Sequence, residues 1–474
     1  MNVLLINPSI DKWKYGVFEP FYEAFHPISL VYIASAVKEM GGHNVSVIDM
    51  EAENLSLKQI TQILIKKRPD ILMMSVLTPA AVNAEELCKI TRRHLKDTII
   101  ILGNLHASCF AESLITLGYA DYVVHGEGEE TIRELLKAID TKSDLSGIRG
   151  ISYFQNGRCI TTQKRAAPAN LDEIPPPDWS LLNMSRYKIN SLTKLKGKGV
   201  PIFSTRGCPY KCTFCSFDTL SRVPRYRSPE NVIEEIDRLI KDYNINFLWF
   251  LDPIFGVNKE HSSRLLELMI KRNYRDLKWV CEMRADSVDR EFIRLMRQAG
   301  CERIFIGFES GVDKLLEGVN KKAQAEQGRK AAEIIHREGI QVAGLFMIGL
   351  PGEKPEETDQ TINYACNLDI DFAKFAITIP LPGSPLFDEY YNSGKLKRPD
   401  WNNYLTFTMD PDILVNINGV QTNKQLVRKL MEAHIKFYTK PDRLLRHLLS
   451  VRTLNILDFI KGLNVIIRRL VEKD

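Results

Sequence analysis

Cys208, Cys212 and Cys215 stand within eight residues, a Cys-x3-Cys-x2-Cys array inside the stretch Ser-Thr-Arg-Gly-Cys-Pro-Tyr-Lys-Cys-Thr-Phe-Cys-Ser-Phe at 204–217. Core packing does not gather thiols so densely, because buried cysteines behave as single small hydrophobes. As thiolates the three can hold a metal. A structural zinc site usually takes four ligands, and no fourth Cys or His follows nearby. An iron–sulfur cubane also usually takes four cysteines, so three leave one iron open for another ligand.

The elements that must position this array have a regular beat. Apolar, strand-length segments at 201–204, 247–251, 279–282, 304–307, 342–348 and 372–379 alternate with amphipathic stretches such as 229–243, 289–299 and 355–368. Over 201–400 this predicts six parallel strands with outer helices, a partial (β/α)6 TIM-type barrel, whose chemistry belongs at the C-terminal strand ends. The cysteine array follows the first strand, where that rule places it. Asp252 ends the second strand, Arg284 the third, and Glu309 lies in the Gly-Phe-Glu-Ser-Gly ending the fourth. The fifth ends in Gly349-Leu350-Pro351-Gly352-Glu353, whose glycines let backbone approach a ligand closely.

Residues 1–140 repeat the alternation with a shorter beat, with strands at 3–6, 45–48, 71–75, 99–102 and 122–124. Continuous apolar strands between helices argue a parallel sheet covered on both faces, here a flavodoxin-like, doubly wound α/β domain. Such a sheet takes ligands outside the carboxyl ends of its strands. Those ends carry Asn7-Pro8-Ser9, Ser75-Val76-Leu77 and Gly103-Asn104-Leu105-His106, small or polar groups that leave room for a bulky ligand. Such residues are also ordinary in turns between strand and helix, so the pattern alone decides nothing.

Residues 141–200 read as a connector. A hairpin is expected around Asn156-Gly157, followed by a stiff spacer at Pro175-Pro176-Pro177. Residues 401–474 form a helical C-terminal region holding twelve Lys or Arg against seven Asp or Glu, which accounts for the whole net charge of +5. Leu426, Leu430, His434 and Phe437 share one side of its first helix. Further on, Leu444 to Ile467 interleave with Arg443 to Arg469. A basic amphipathic helix can lie on an anionic membrane, but partner faces are the commoner use of an apolar stripe, so packing on the barrel is favoured. A neutral body with a basic tail does not suit a nucleic-acid enzyme. Nine cysteines, mostly scattered, with no leader and no run of eighteen apolar residues, suggest a reduced, cytoplasmic protein, peripheral on the inner membrane face where the tail meets lipid.

The cysteine array resembles that of the radical S-adenosylmethionine (SAM) superfamily. The first domain resembles the cobalamin-binding domain that precedes many of its barrels, through Ser75-x-Leu77, Gly103-Asn104 where Gly-Gly is usual, and Gly126-Glu127-Gly128-Glu129. Together they resemble the cobalamin-dependent radical SAM enzymes, class B methyltransferase-like, over all but the tail. The resemblance implies a 4Fe–4S cluster held by Cys208, Cys212 and Cys215, with SAM on the open iron and cobalamin against Asn7, Ser75, Leu77, Gly103 and Asn104. It places Phe214 near the adenine, and Asp252, Gly349, Pro351 and Gly352 at SAM-contacting strand ends. Arg284 and Glu309 would meet the charged methionine end, against the alternative of ordinary ion pairs. The Asp-x-His-x-x-Gly motif that supplies a histidine to cobalt is missing. His26 reads as a loop residue and His106 as a surface or backbone-bonding one. No protein histidine is therefore expected on cobalt.

In such enzymes the cofactors carry the hard chemistry and no side chain is assigned a catalytic role. Reduced cluster cleaves SAM to methionine and a 5′-deoxyadenosyl radical, which takes hydrogen from an unactivated carbon. Methyl transfer from cobalamin follows in one branch and ring formation or rearrangement in another. Expected partners are a small-molecule or lipid-like substrate, such as a tetrapyrrole or natural product, and an electron donor such as flavodoxin or ferredoxin. A methylthiotransferase would need a second cluster, and Cys88, Cys109 and Cys159 sit away from the ligand edge. A cobalamin-binding sensor would leave the cysteine array without purpose.

Overall fold

Alternate residues of the first strand face two different cores, which is what a strand buried on both sides requires. In this computed structural model, β1 (Asn2–Asn7) sends Leu4 and Ile6 to one apolar cluster and Val3 and Leu5 to another. The structure describes residues 1–10, 24–187, 198–216, 221–396, 400–405, 408, 410–441 and 443. Strands β2 (Asn44–Asp49), β3 (Ile71–Ser75), β4 (Ile99–Gly103) and β5 (Tyr122–Val124) join β1 in parallel in the order β2-β1-β3-β4-β5, as the doubly wound reading expects. The helix Ile28–Glu39 between β1 and β2 ends before Gly41 and Gly42, both with left-handed φ.

The hairpin read as part of the connector is instead a piece of this sheet. β6 (Ile151–Gln155) pairs antiparallel with β5, and β7 (Arg158–Thr161) with β6, extending the sheet to seven strands. Asn156 and Gly157 both take positive φ, as a tight primed turn demands.

The second sheet runs β15-β14-β13-β12-β11-β8 and is parallel throughout, its strands in sequential order and its two ends unpaired with each other. These are β8 (Gly199–Ile202), β11 (Phe247–Phe250), β12 (Lys278–Met283), β13 (Cys301–Glu309), β14 (Gln341–Ile348) and β15 (Phe372–Ile377). The short β9 (Thr205–Arg206) and β10 (Arg225–Tyr226) pair with each other on either side of the cysteine loop. Helices between strands start at side-chain caps from Ser228, Asn258 and Asp289.

The helix Asn423–Tyr438 opens with a Thr422–Gln425 capping box and buries Leu426, Leu430 and Phe437 in the same core as the second sheet. Tyr438 bonds both backbone groups of Ala373 at the free edge of β15. The first tail helix thus packs on the barrel, while the choice between packing and membrane contact concerns the basic stretch that follows it. The interleaved basic stretch at 444–474, with its membrane reading, lies outside the described residues. No helix among those described is long and apolar enough to cross a membrane.

Candidate functional site

The cysteine loop is tied at its neck. Asp252, buried at the end of β11, accepts hydrogen bonds from Ser204 N (2.7 Å), Thr205 N (3.0 Å) and the Ser204 hydroxyl. Burial pushes its carboxyl up to about 6 while these bonds pull the other way. Gly207, with φ +97°, admits no side chain, since a Cβ there would sit 2.4 Å from Val223 O. Within the loop, Cys208 N donates to Ser221 O (3.1 Å) and Cys215 N to Cys212 O (3.1 Å). Thr213 joins the loop to the barrel, donating to Val319 O (3.0 Å) and accepting from Leu386 N (2.9 Å).

Cys208 and Cys212 are buried and Cys215 half-buried, all three as free thiols. Arg284 lies over the Tyr210 ring at 3.8 Å, with Nη1 3.9 Å from Cys212 Sγ. Burial raises the Cys208 thiol, and the Tyr210 backbone and the Arg284 and Arg222 charges oppose that rise. Among the described residues no three Cys, His, Asp or Glu side chains converge as on a single metal ion. A cubane does not ask for such convergence, because each cysteine binds a different iron. Three soft donors on one short loop, with a guanidinium alongside to offset negative charge, fit that group.

A cavity of about 240 Å³ lies where the two sheets meet. The first sheet contributes Ser75, Gly103 and Asn104 at its strand ends, with Ser108 and Glu127 beyond them. The opposite wall is Thr205, Arg206 and Gly207, the neck of the cysteine loop. Asn104 takes φ +74°, which asparagine tolerates, and its Nδ2 donates to Ser75 Oγ at 2.9 Å. The side chain that replaces a usual glycine is thereby folded onto the strand end. Small walls and a shared boundary with the cysteine loop suit a flat ligand presented to the cluster.

Comparison with known proteins agrees. Residues 16–136 match the B12 binding domain family and residues 202–365 the Radical SAM superfamily. An uncharacterized methyltransferase of Pyrococcus horikoshii is 33% identical over 472 residues, covering 98% of each chain. The chain belongs to the cobalamin-binding radical SAM enzymes. The anaerobic magnesium-protoporphyrin IX monomethyl ester cyclase of Rubrivivax gelatinosus is 29% identical, over 87% of this chain and 74% of its own. In fold, the cobalamin-dependent SAM radical enzyme OxsB, with aqua-cobalamin and SAM bound, is similar at a TM-score of 0.74, covering 95% of this chain and 71% of its own at 21% identity.

Against this family background the expected site residues divide. Ser75, Gly103 and Asn104 line the cavity. Asn7 and Leu77 do not: Asn7 Nδ2 donates to Asp49 Oδ1 (2.9 Å), and Leu77 is 49% exposed. Phe214 packs against Leu315, Val319 and Leu350, beside the end of β14. There Glu353 Oε2 accepts from Gly349 N (2.6 Å) and Leu350 N (2.8 Å), while Asn418 Nδ2 donates to Leu350 O (2.6 Å) and Glu353 O (3.0 Å). Pro351 and Gly352 stand at the outer turn of that loop, half-buried and exposed.

Arg284 and Glu309 meet protein partners. Arg284 grips Asp286 through Nε (2.9 Å) and Nη2 (2.8 Å), and donates to Lys321 O. Lys321 Nζ in turn donates to Glu309 Oε1 at 2.6 Å. The two expected residues are thus brought into one chain of contacts through Lys321. Glu309 reaches it from a left-handed φ of +59° where the β13–β14 register shifts.

His106 is not at the surface. It is buried, with Nδ1 3.3 Å from Thr78 Oγ1 and its ring against Phe110 and Trp401, and burial lowers it to about 4. His26 is stacked on Tyr187 at 3.9 Å, and burial lowers it to about 3. Sequence reasoning did not assign Arg206, Glu127, Tyr32 or Ser108. The two acids of Gly126–Glu129 and the arginine two residues before Cys208 were the available signal.

Proposed function

We propose that this chain is a methyltransferase that holds a 4Fe–4S cluster, SAM and cobalamin and methylates an unactivated carbon. The observation that carries the reading is a cavity walled jointly by the strand ends of one sheet and the neck of the cysteine loop on the other. When bound, the cluster with SAM supplies a carbon-centred radical and cobalamin supplies the methyl group. The chain's own residues do the positioning. Cys208, Cys212 and Cys215 would hold the cluster, Phe214 would face the adenine, and the Glu353-braced turn Gly349–Gly352 would border SAM. Asp252, Arg284 and Glu309 act one step back, through Ser204, Cys212 and Lys321.

The near full-length relative named a methyltransferase supports this reading over others. Ring formation is the second reading, favoured by the cyclase relative at 29% identity. Cluster-loaded protein, cobalamin and methyl-labelled SAM, incubated with candidate tetrapyrrole, lipid and natural-product substrates, separate them. Label enters the organic product only in methyl transfer. Failure of the reduced protein to form 5′-deoxyadenosine would leave a cobalamin sensor instead.

The same proposal gives cobalt no histidine from the protein, because the Asp-x-His-x-x-Gly motif is missing from the sequence. A Co(II) paramagnetic resonance spectrum carrying nitrogen splitting from histidine would refute it. An electron donor such as flavodoxin or ferredoxin belongs to the same proposal. So does peripheral membrane contact by the tail, checked by co-sedimentation with anionic liposomes against a chain truncated after about residue 440.

A further inference from the structure

The neck of the cysteine loop carries two arginines, and both reach for the same carboxylate. Arg206 of β9 and Arg225 of β10 are register partners, one just before the loop and one just after it. Glu127, on the turn leaving the first sheet, accepts from Arg206 Nη1 at 3.1 Å and Arg225 Nη1 at 3.1 Å through Oε2. Its other oxygen accepts from Arg225 Nη2. Glu129 lies 2.8 Å from Arg206, and the Arg206 guanidinium rests 4.7 Å over the Tyr32 ring. Arg225 also donates to Pro168 O at 2.9 Å. None of these four charged side chains is more than 15% exposed.

Charges removed from water in this way are held strongly only while every partner is present, since losing one leaves the others buried and uncompensated. Arg206, Glu127, Glu129 and Tyr32 also line the cavity, whereas Arg225 does not. Whatever fills the cavity therefore touches the groups that close the loop.

We propose that Glu127 is a positioning residue that clamps the neck of the cysteine loop from the cobalamin side, so that occupancy of the cavity and SAM binding at the loop are energetically coupled. This rests on the methyltransferase reading of the site. An occupant that orders Glu127 and Arg206 lowers the cost of ordering the loop for SAM. By linkage SAM strengthens cobalamin binding by the same factor.

The test uses full-length, cluster-reconstituted protein and compares SAM dissociation constants with and without hydroxocobalamin. The perturbation of the cluster's paramagnetic resonance spectrum by SAM is the readout. The wild type is expected to bind SAM about fivefold or more tightly when cobalamin is present. Glu127→Gln brings that ratio to about one, and Glu127→Asp, which keeps the charge, restores part of it. Arg225→Gln, at a side chain that does not itself line the cavity, lowers the ratio as well and covers the case in which Glu127→Gln does not fold. A wild-type ratio of one, or variants that keep the full ratio, overturns the proposal. A wild type that binds neither cobalamin nor SAM defeats the functional reading itself, a different outcome.

Discussion

The two sheets are both built on parallel strands fed by helices, the first extended by an antiparallel hairpin, yet they present ligand sites in opposite ways. In the first, the strand order reverses at β1, helices cover both faces, and alternate residues of β1 enter separate cores. Only its edge is left for a ligand, at the strand ends where Ser75, Gly103 and Asn104 stand. In the second, order follows sequence and the helices cover one face. Leu248, Cys281, Ile304, Phe346 and Phe375 are buried on that face, while Trp249, Glu282, Phe305 and Leu345 are half-buried on the other and Lys374 is exposed there. Winding direction thus decides whether a sheet offers a rim or a whole face.

If the rim and the face are separate sites, the largest effect should fall on one side alone. Cys208→Ala is expected to reduce iron content and 5′-deoxyadenosine formation to background while hydroxocobalamin still binds the first sheet. Retained SAM cleavage would sink the cysteine assignment. Next in size, Leu430→Ala removes a fully buried side chain from the helix covering β15 and should cost about 2–5 kcal/mol. Hydrogen exchange should then speed up in β8 and β11–β15 and stay slow in β1–β7. Equal loss in both would show one cooperative unit and break the comparison.

A pH effect is expected on the second sheet. Burial raises the Glu353 carboxyl from 4.5 to about 7, against the pull of the Leu350 and Gly349 amides. Because the folded-state value is the higher one, stability is whole below pH 4.5 and is lost as pH rises through about 7, a loss of about 3 kcal/mol at most. Glu353→Gln, followed by chemical denaturation between pH 4.5 and 8, should flatten that decline; an unchanged slope would place the titration elsewhere. Smallest of all, Asn104→Gly removes the bond to Ser75 but relieves the left-handed backbone, so stability should move by less than about 1 kcal/mol. Hydroxocobalamin should bind more tightly to the opened rim in equilibrium dialysis. Weaker binding would make the Asn104 side chain a ligand contact rather than an obstruction.

What could be read from the sequence was local. Apolar runs and their spacing give all eleven parallel strands, and the cysteine spacing gives the loop, because both signals repeat within a few residues. The hairpin was legible, but not its pairing with β5, since an edge strand accepts any neighbour of suitable register. Glu127, Arg206 and Arg225 lie far apart in the chain, and no periodicity links a carboxylate to arginines it meets only after both sheets form. Asn7 and Leu77 were expected at the cavity by their position at strand ends. Asp49 holds the first, and the second points outward, which side-chain spacing cannot foresee.

The buried Arg443 guanidinium donates to the carbonyls of Ile370, Leu368 and Cys366, completing the end of the helix Pro355–Asn367 just before β15. With Asn418 holding the Gly349–Glu353 turn, residues far down the chain complete the rim at the end of β14. On the ribosome, the strands of the first sheet emerge before those of the second and are free to form early. The second sheet gains its last described braces only when residues 418–443 have joined it.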